Sequence, residues 1–184
     1  RTSIDDPDVG LIETEYDAYG RKISETNENG DLITYAYDEK GRLKEQNDDE
    51  NNFSFSYNSK NLLSKETSDN YCCEYTYDNY NRLTLKKETV GGNVFNTKYA
   101  YAKKYGKATT ITYPSGEKLK NIYDGHGYLT SVSFQNKIIW KPVKQDSRGN
   151  LMQDSLYKVN RSFTYNQANQ LTQEKAVCGS TKLM

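Results

Sequence analysis

The chain has 184 residues, with 25 Lys and Arg against 25 Asp and Glu, so its formal net charge is zero. Leu (13), Ile (8), Val (7) and Phe (5) supply about 18% of the residues while Tyr alone contributes 17, which excludes an ordinary aliphatic core. Balanced charge with abundant Tyr excludes disorder driven by net charge and speaks against a nucleic-acid or anionic-membrane surface, and no stretch approaches the ~18 apolar residues of a membrane span.

In chain order, residues 1–15 read as a lead-in, opening on Arg1 with no apolar signal region, as in a segment cut from something longer. The first repeat follows as Tyr16-Asp17-Ala18-Tyr19-Gly20-Arg21-Lys22-Ile23. The second, Tyr37-Asp38-Glu39-Lys40-Gly41-Arg42-Leu43, keeps Tyr, Asp, Gly and Arg in phase. A third opens at Tyr57, and the fourth, Tyr77-Asp78-Asn79-Tyr80-Asn81-Arg82-Leu83, has Asn in place of Gly. The fifth opens at Tyr101, and the sixth, Tyr123-Asp124-Gly125-His126-Gly127-Tyr128-Leu129, has Tyr in place of Arg. The seventh opens at Gln145 and the eighth at Tyr165. Anchors recur every 20–24 residues, so eight repeats fill residues 16–177 and residues 178–184 form a tail.

Each unit carries two reversal signals. After the anchor, Asp can bond the backbone two residues on, and Gly or Asn tolerates the positive φ that a tight turn needs. Half a repeat later come Asn29-Gly30, Asp48-Asp49-Glu50-Asn51, Ser68-Asp69-Asn70, Gly91-Gly92 and Pro114-Ser115-Gly116. Between turns the pattern has period two: Ile33, Tyr35 and Tyr37 share a face, as do Phe53, Phe55 and Tyr57, and Tyr71, Cys73, Tyr75 and Tyr77. The fold class expected is all-β: about sixteen strands in one long antiparallel sheet of consecutive hairpins, curved because strand twist accumulates. With no helix to cover it, the aromatic stripe is expected to pack on itself, Tyr against Phe or Tyr. Such a slice leaves strand edges near Glu13–Tyr16 and Thr172–Val177, open to edge-to-edge self-association or to burial under the chain's own termini.

Residues able to do chemistry are few. His126 is the sole His and falls in a turn, where it lacks an orienting partner and a cleft. Asp17, Asp38, Asp78, Asp124 and Asp146 recur at repeat spacing, which fits turn-making. Cys72, Cys73 and Cys178 lack the spacing of a zinc site, although a bridge from Cys73 to Cys178 is left open by the sequence. Neither Gly-rich stretch has the Lys and helix of a phosphate loop. Trp140, in Ile138-Ile139-Trp140-Lys141-Pro142-Val143, reads as a covered strand or as a contact surface. No cofactor, no metal and no enzymatic activity is expected. The residues singled out are structural: Tyr16, Asp17, Gly20, Arg21, Tyr37, Asp38, Gly41, Arg42, Tyr77, Asp78, Arg82, Tyr123, Asp124 and Gly127.

The unit Tyr35-Ala36-Tyr37-Asp38-Glu39-Lys40-Gly41-Arg42-Leu43, echoed at Tyr75-Thr76-Tyr77-Asp78, resembles the YD repeat of the rearrangement-hot-spot proteins, a family that includes bacterial polymorphic toxins, insecticidal toxin complexes and teneurins. The resemblance covers Tyr16 to Val177. It implies an open slice of a β-shell, part of a larger secreted or bacterial cell-surface chain, which in bacterial members encloses a C-terminal toxin domain. The chain departs from bacterial members in carrying no Asp-, Pro- and Gly-rich segment after its repeats. The alternative function is a carbohydrate- or cell-wall-binding adhesion module, against which stands the single Trp in a chain of eight units.

Overall fold

The computed structural model describes residues 2–6, 10–104 and 106–178. Its 17 strands belong to one antiparallel sheet, and no described residue is helical. The chain divides into two units, Arg1–Asn96 and Thr97–Met184.

The first unit contains β1 (Thr2–Asp6), β2 (Gly10–Tyr16), β3 (Lys22–Thr26), β4 (Leu32–Tyr37), β5 (Leu43–Asn47), β6 (Asn52–Tyr57), β7 (Leu63–Ser68), β8 (Tyr71–Tyr77) and β9 (Leu83–Val90). Each strand pairs with the next. Strand β10 (Asn93–Tyr101) begins in this unit and ends in the second, which continues with β11 (Ala108–Thr112), β12 (Lys118–Tyr123), β13 (Leu129–Phe134), β14 (Lys137–Gln145), β15 (Leu151–Leu156), β16 (Val159–Tyr165) and β17 (Leu171–Cys178). These again pair in succession.

The lead-in corrects one expectation. Strand β1 sets Thr2 opposite Thr14, Ser3 opposite Glu13 and Ile4 opposite Ile12, while β3 covers the other side of Glu13 and Thr14. Glu13 and Thr14 are therefore paired on both sides and do not form a free edge, because a strand needs a partner and period-two alternation but not the Tyr-Asp anchor.

Burial is shallow. The hydrophobic residues that qualify as buried are Cys73 and Phe163, and most strand positions are half-buried. The register slips by one residue next to the anchor Tyr at Tyr16, Tyr37, Tyr57 and Tyr77, and again at Tyr101, Tyr123 and Tyr165. Such a bulge bends the strand and re-aims the side chain beside it. Here that side chain is the repeat's Tyr.

The aromatic stripe does not pack on itself as expected. A return strand lies between successive aromatic strands and sets a polar residue in their midst: Gln46 faces both Tyr35 and Phe53, and Glu66 faces both Phe55 and Cys73. Rings therefore meet cations more than other rings. Arg21 sits over Tyr37 at 4.7 Å, Lys22 over Tyr35 at 4.5 Å and Arg42 over Tyr57 at 4.4 Å. Tyr113 and Phe134 do pair ring to ring, at 6.5 Å.

Candidate functional site

The anchor turns are built alike. In the second, Asp38 Oδ1 accepts the backbone N–H groups of Lys40 and Arg42, each at 2.9 Å, and Oδ2 accepts Arg42 Nε at 2.7 Å and its terminal nitrogen at 2.6 Å. The backbone closes the same loop through Asp38 N–H to Arg42 O at 2.8 Å and Gly41 N–H to Asp38 O at 2.9 Å. Asp17 with Arg21 and Asp78 with Arg82 repeat the arrangement. Asp146 receives Asn150 in place of Arg, and Asp124 makes its two backbone bonds alone. At Asn58 and Asn166 an amide oxygen does the carboxylate's backbone work.

These bonds favour the charged carboxylate. Asp38 and Asp78 are held below the usual Asp value, first by the side chains of Arg42 and Arg82. Asp17 and Asp124 are lowered chiefly by the N–H groups of Arg21 and Tyr128, and Asp146 by the Asn150 amide. The fifth position has φ of 76° at Gly20, 77° at Gly41, 63° at Asn81 and 86° at Gly127.

Two sets of bonds tie one repeat to the next. The hydroxyl of the anchor Tyr donates to the carbonyl one residue beyond the previous turn: Tyr37 to Lys22 O at 2.7 Å, Tyr57 to Leu43 O at 2.8 Å and Tyr77 to Leu63 O at 2.7 Å. In the second unit Tyr123 reaches Ala108 O at 3.1 Å and Tyr165 reaches Leu151 O at 3.0 Å. Along the turns, cations donate forward: Arg42 to Asn61 Oδ1 at 2.9 Å, Arg148 to Asn169 Oδ1 at 3.0 Å and Lys107 to Gly127 O at 2.6 Å. Sequence reasoning missed these links, because their partners lie 14–21 residues apart. The only signal was the repeat phase, which places each Tyr one hairpin beyond the carbonyl it needs.

The half-buried aromatic face holds further polar groups. Glu66 Oε1 accepts both Tyr71 OH at 2.7 Å and Tyr75 OH at 3.0 Å. Burial is the first cause that raises the pKa of both tyrosines, with Glu66 and Cys73 adding to it. In the second unit Asp154 is 1% exposed. Its carboxylate accepts Trp140 Nε1 at 2.7 Å and Arg161 Nε at 2.9 Å, and Arg161 adds a second ion-pair contact. Trp140 is thus held in place by a buried carboxylate, a partner that its sequence neighbourhood does not disclose.

The remaining candidates stay apart. His126 is exposed and its backbone N–H donates to Asp124. Cys72, Cys73 and Cys178 are free thiols. Among the described residues no group of three or more His, Cys, Asp and Glu is placed to hold a metal ion.

This geometry, a meander of hairpins with self-bonded Asp turns and Tyr staples, defines a YD-type repeat sheet. The chain belongs to the teneurin YD-shell family, whose model matches residues 8–138. No curated protein matches it. Among solved structures, the TcdB2-TccC3-Cdc42 crystal structure superposes with a TM-score of 0.74 at 12% identity, covering 95% of this chain and 10% of that one. TcdB2-TccC3 gives 0.73 at 13%, covering 95% and 11%, and the Photorhabdus luminescens Tc holotoxin pore gives 0.72 at 13%, covering 95% and 10%. The chain thus spans about a tenth of the length of the solved chains it resembles.

Proposed function

We propose that this chain is a non-catalytic wall segment of a larger shell protein, secreted or displayed on a bacterial surface, whose task is to enclose or present a toxin or effector domain. The observation that carries the reading is the Tyr staple, in which Tyr37, Tyr57, Tyr77, Tyr123 and Tyr165 each join one hairpin to the one before it. The turn aspartates point the same way, since the turn engages both carboxylate oxygens of Asp17, Asp38, Asp78 and Asp146 and one of Asp124. Strand β17, exposed along its whole length, would offer an edge to a further strand.

The test is to express the segment with and without the rest of its reading frame and to score toxicity and hydrolytic activity. The segment alone should be inert, and the full frame should protect an internal domain from protease. An activity of the segment alone that Asp124→Asn or His126→Ala abolishes overturns the reading.

A further inference from the structure

Whole-chain neutrality hides two opposite halves. Arg1–Asn96 holds 11 Lys and Arg against 20 Asp and Glu, a formal charge of −9, whereas Thr97–Met184 holds 14 against 5, a charge of +9. In the second unit the register concentrates this charge. Lys98 and Lys118 both face Thr112, and Lys120 lies between Thr110 and Ser133. Farther along, Lys141 faces Ser155, Lys144 faces Gln153, and Lys175 faces Ser162, which itself faces Gln153.

These six lysines therefore share one face of the sheet, turned away from Tyr123, Trp140 and Phe163, and all but the half-buried Lys120 are exposed. The unit's carboxylates lie elsewhere. Asp154 and Glu174 are on the aromatic face, opposite Arg161 and Phe163, while Glu117, Asp124 and Asp146 are in turns. Among the described residues of the second unit, no carboxylate shares the lysine face. The equivalent face of the first unit carries Glu13, Glu15, Glu45 and Glu74 beside Lys65 and Lys87.

We infer that the lysine face of the second unit binds an acidic polysaccharide. Lysines two apart on a strand are separated by ~7 Å, and those on alternate strands by ~10 Å, a grid that an extended polyanion can follow. Lysine acts as a point charge without the planar fork of Arg, so it reads charge and not one fixed carboxylate geometry. Between the lysines stand hydroxyl and amide groups that are not buried, Thr110, Thr112, Ser155 and Gln153, which donate to and accept from sugar hydroxyls. A single-stranded nucleic acid would call for aromatic rings to stack its bases, and this unit's strand Tyr, Trp and Phe rings belong to the other face. The inference goes beyond the wall reading and survives its failure, since it concerns a surface and not what the wall encloses.

The test uses the whole chain and heparin as a defined sulfated polysaccharide, with neutral dextran as control. Binding should occur at low salt, weaken steeply as salt rises, and be absent with dextran. Lys118→Gln with Lys141→Gln should weaken it at least tenfold and lower the slope of log Kd against log salt by about two, roughly one per lysine. Lys103→Gln, in a turn, with Lys137→Gln, opposite Phe134 on the aromatic face, removes the same charge and should change affinity less than threefold. Equal losses in the two double variants, both with wild-type circular dichroism, overturn the assignment to this face. Single-stranded DNA or phosphatidylserine vesicles bound as tightly as heparin overturn the polysaccharide.

Discussion

Replacing Asp154 by Ala tests whether a buried ion pair holds the second unit together. Asp154 is 1% exposed and receives the Trp140 indole N–H and two nitrogens of Arg161. Without the carboxylate, the indole N–H loses its acceptor, which costs about 1–3 kcal/mol. Breaking a buried pair costs about 3–5 kcal/mol when the survivor is stranded. The Arg161 side chain, however, is 27% exposed and keeps Glu174 at 3.4 Å, so the low end applies. Both losses stem from one carboxylate and do not add in full, so we expect about 3 kcal/mol in total, a fall in Tm of about 6–12 °C at ~2–4 °C per kcal/mol for a chain of this size. Trp140 is the sole Trp, so its fluorescence reports this unit directly. The acid limb gives a second reading. Arg161's hydrogen bonds hold the Asp154 pKa below its ordinary value against the opposing penalty of burial, and Trp140 adds to them. A depressed native pKa means that the stabilisation is complete above the unfolded value of ~4 and is lost as pH falls through the lower native one, so the gap between wild type and variant should begin to narrow below about pH 4 and close as pH falls through the native value. Equal Tm values at pH 7, or a gap that persists in acid, would refute the account.

Gly41→Val should cost at least ~1 kcal/mol in urea unfolding, because φ is 77° there and a β-branched residue resists it, although the nearest atom to an added Cβ is Arg21 Nη1 at 3.5 Å. Gly41→Asn should cost much less, since Asn61 and Asn81 hold φ of 63° in this same chain, and equal losses for the two variants would remove the strain argument. Tyr57→Phe removes the bond to Leu43 O and should cost about 1 kcal/mol, with faster hydrogen exchange in β5 and β6. Tyr19→Phe, at a residue 85% exposed, should leave stability and exchange unchanged. Asp38→Asn keeps an oxygen for the turn N–H groups but loses the Arg42 pair. Arg42 lowers the Asp38 pKa, so the pair contributes above the unfolded pKa and is lost as pH falls through the native one. The variant should flatten the acid limb of a stability profile, and an unchanged limb would count against the pair.

The hairpin turns were legible because their determinants are local: Asp17 to Gly20 and Asp38 to Gly41 bond within five residues of sequence. Strand direction was legible from period two, and one antiparallel sheet follows from that pattern with a turn every ten residues or so. The polar centre of the aromatic face was not, because Gln46 and Glu66 look like outward residues until the register places them opposite Phe53 and Cys73. Strand β1 was missed for want of the anchor motif, and the partner of Trp140 lies 14 residues away on another strand. Charge misled in a different way, since summing over the whole chain cancels two units of opposite sign.

That opposition has a structural permission. In a globular domain, a face rich in Lys competes with the need to bury apolar surface. Here few hydrophobic side chains are buried at all, and cohesion comes from contacts each hairpin makes with its neighbours: the ladder bonds, the Tyr staple and the forward-donating cations. Stability in such an array is approximately a sum of nearest-neighbour terms, and none of those terms draws on the tips of side chains on the face turned away from the tyrosines. Residues of either sign occupy that face, Glu45 and Glu74 in one unit and Lys120 and Lys141 in the other. A cluster of like charges on such a face repels itself and gains nothing structural in return. Its presence in the second unit is therefore better accounted for by something the face meets than by anything the fold requires.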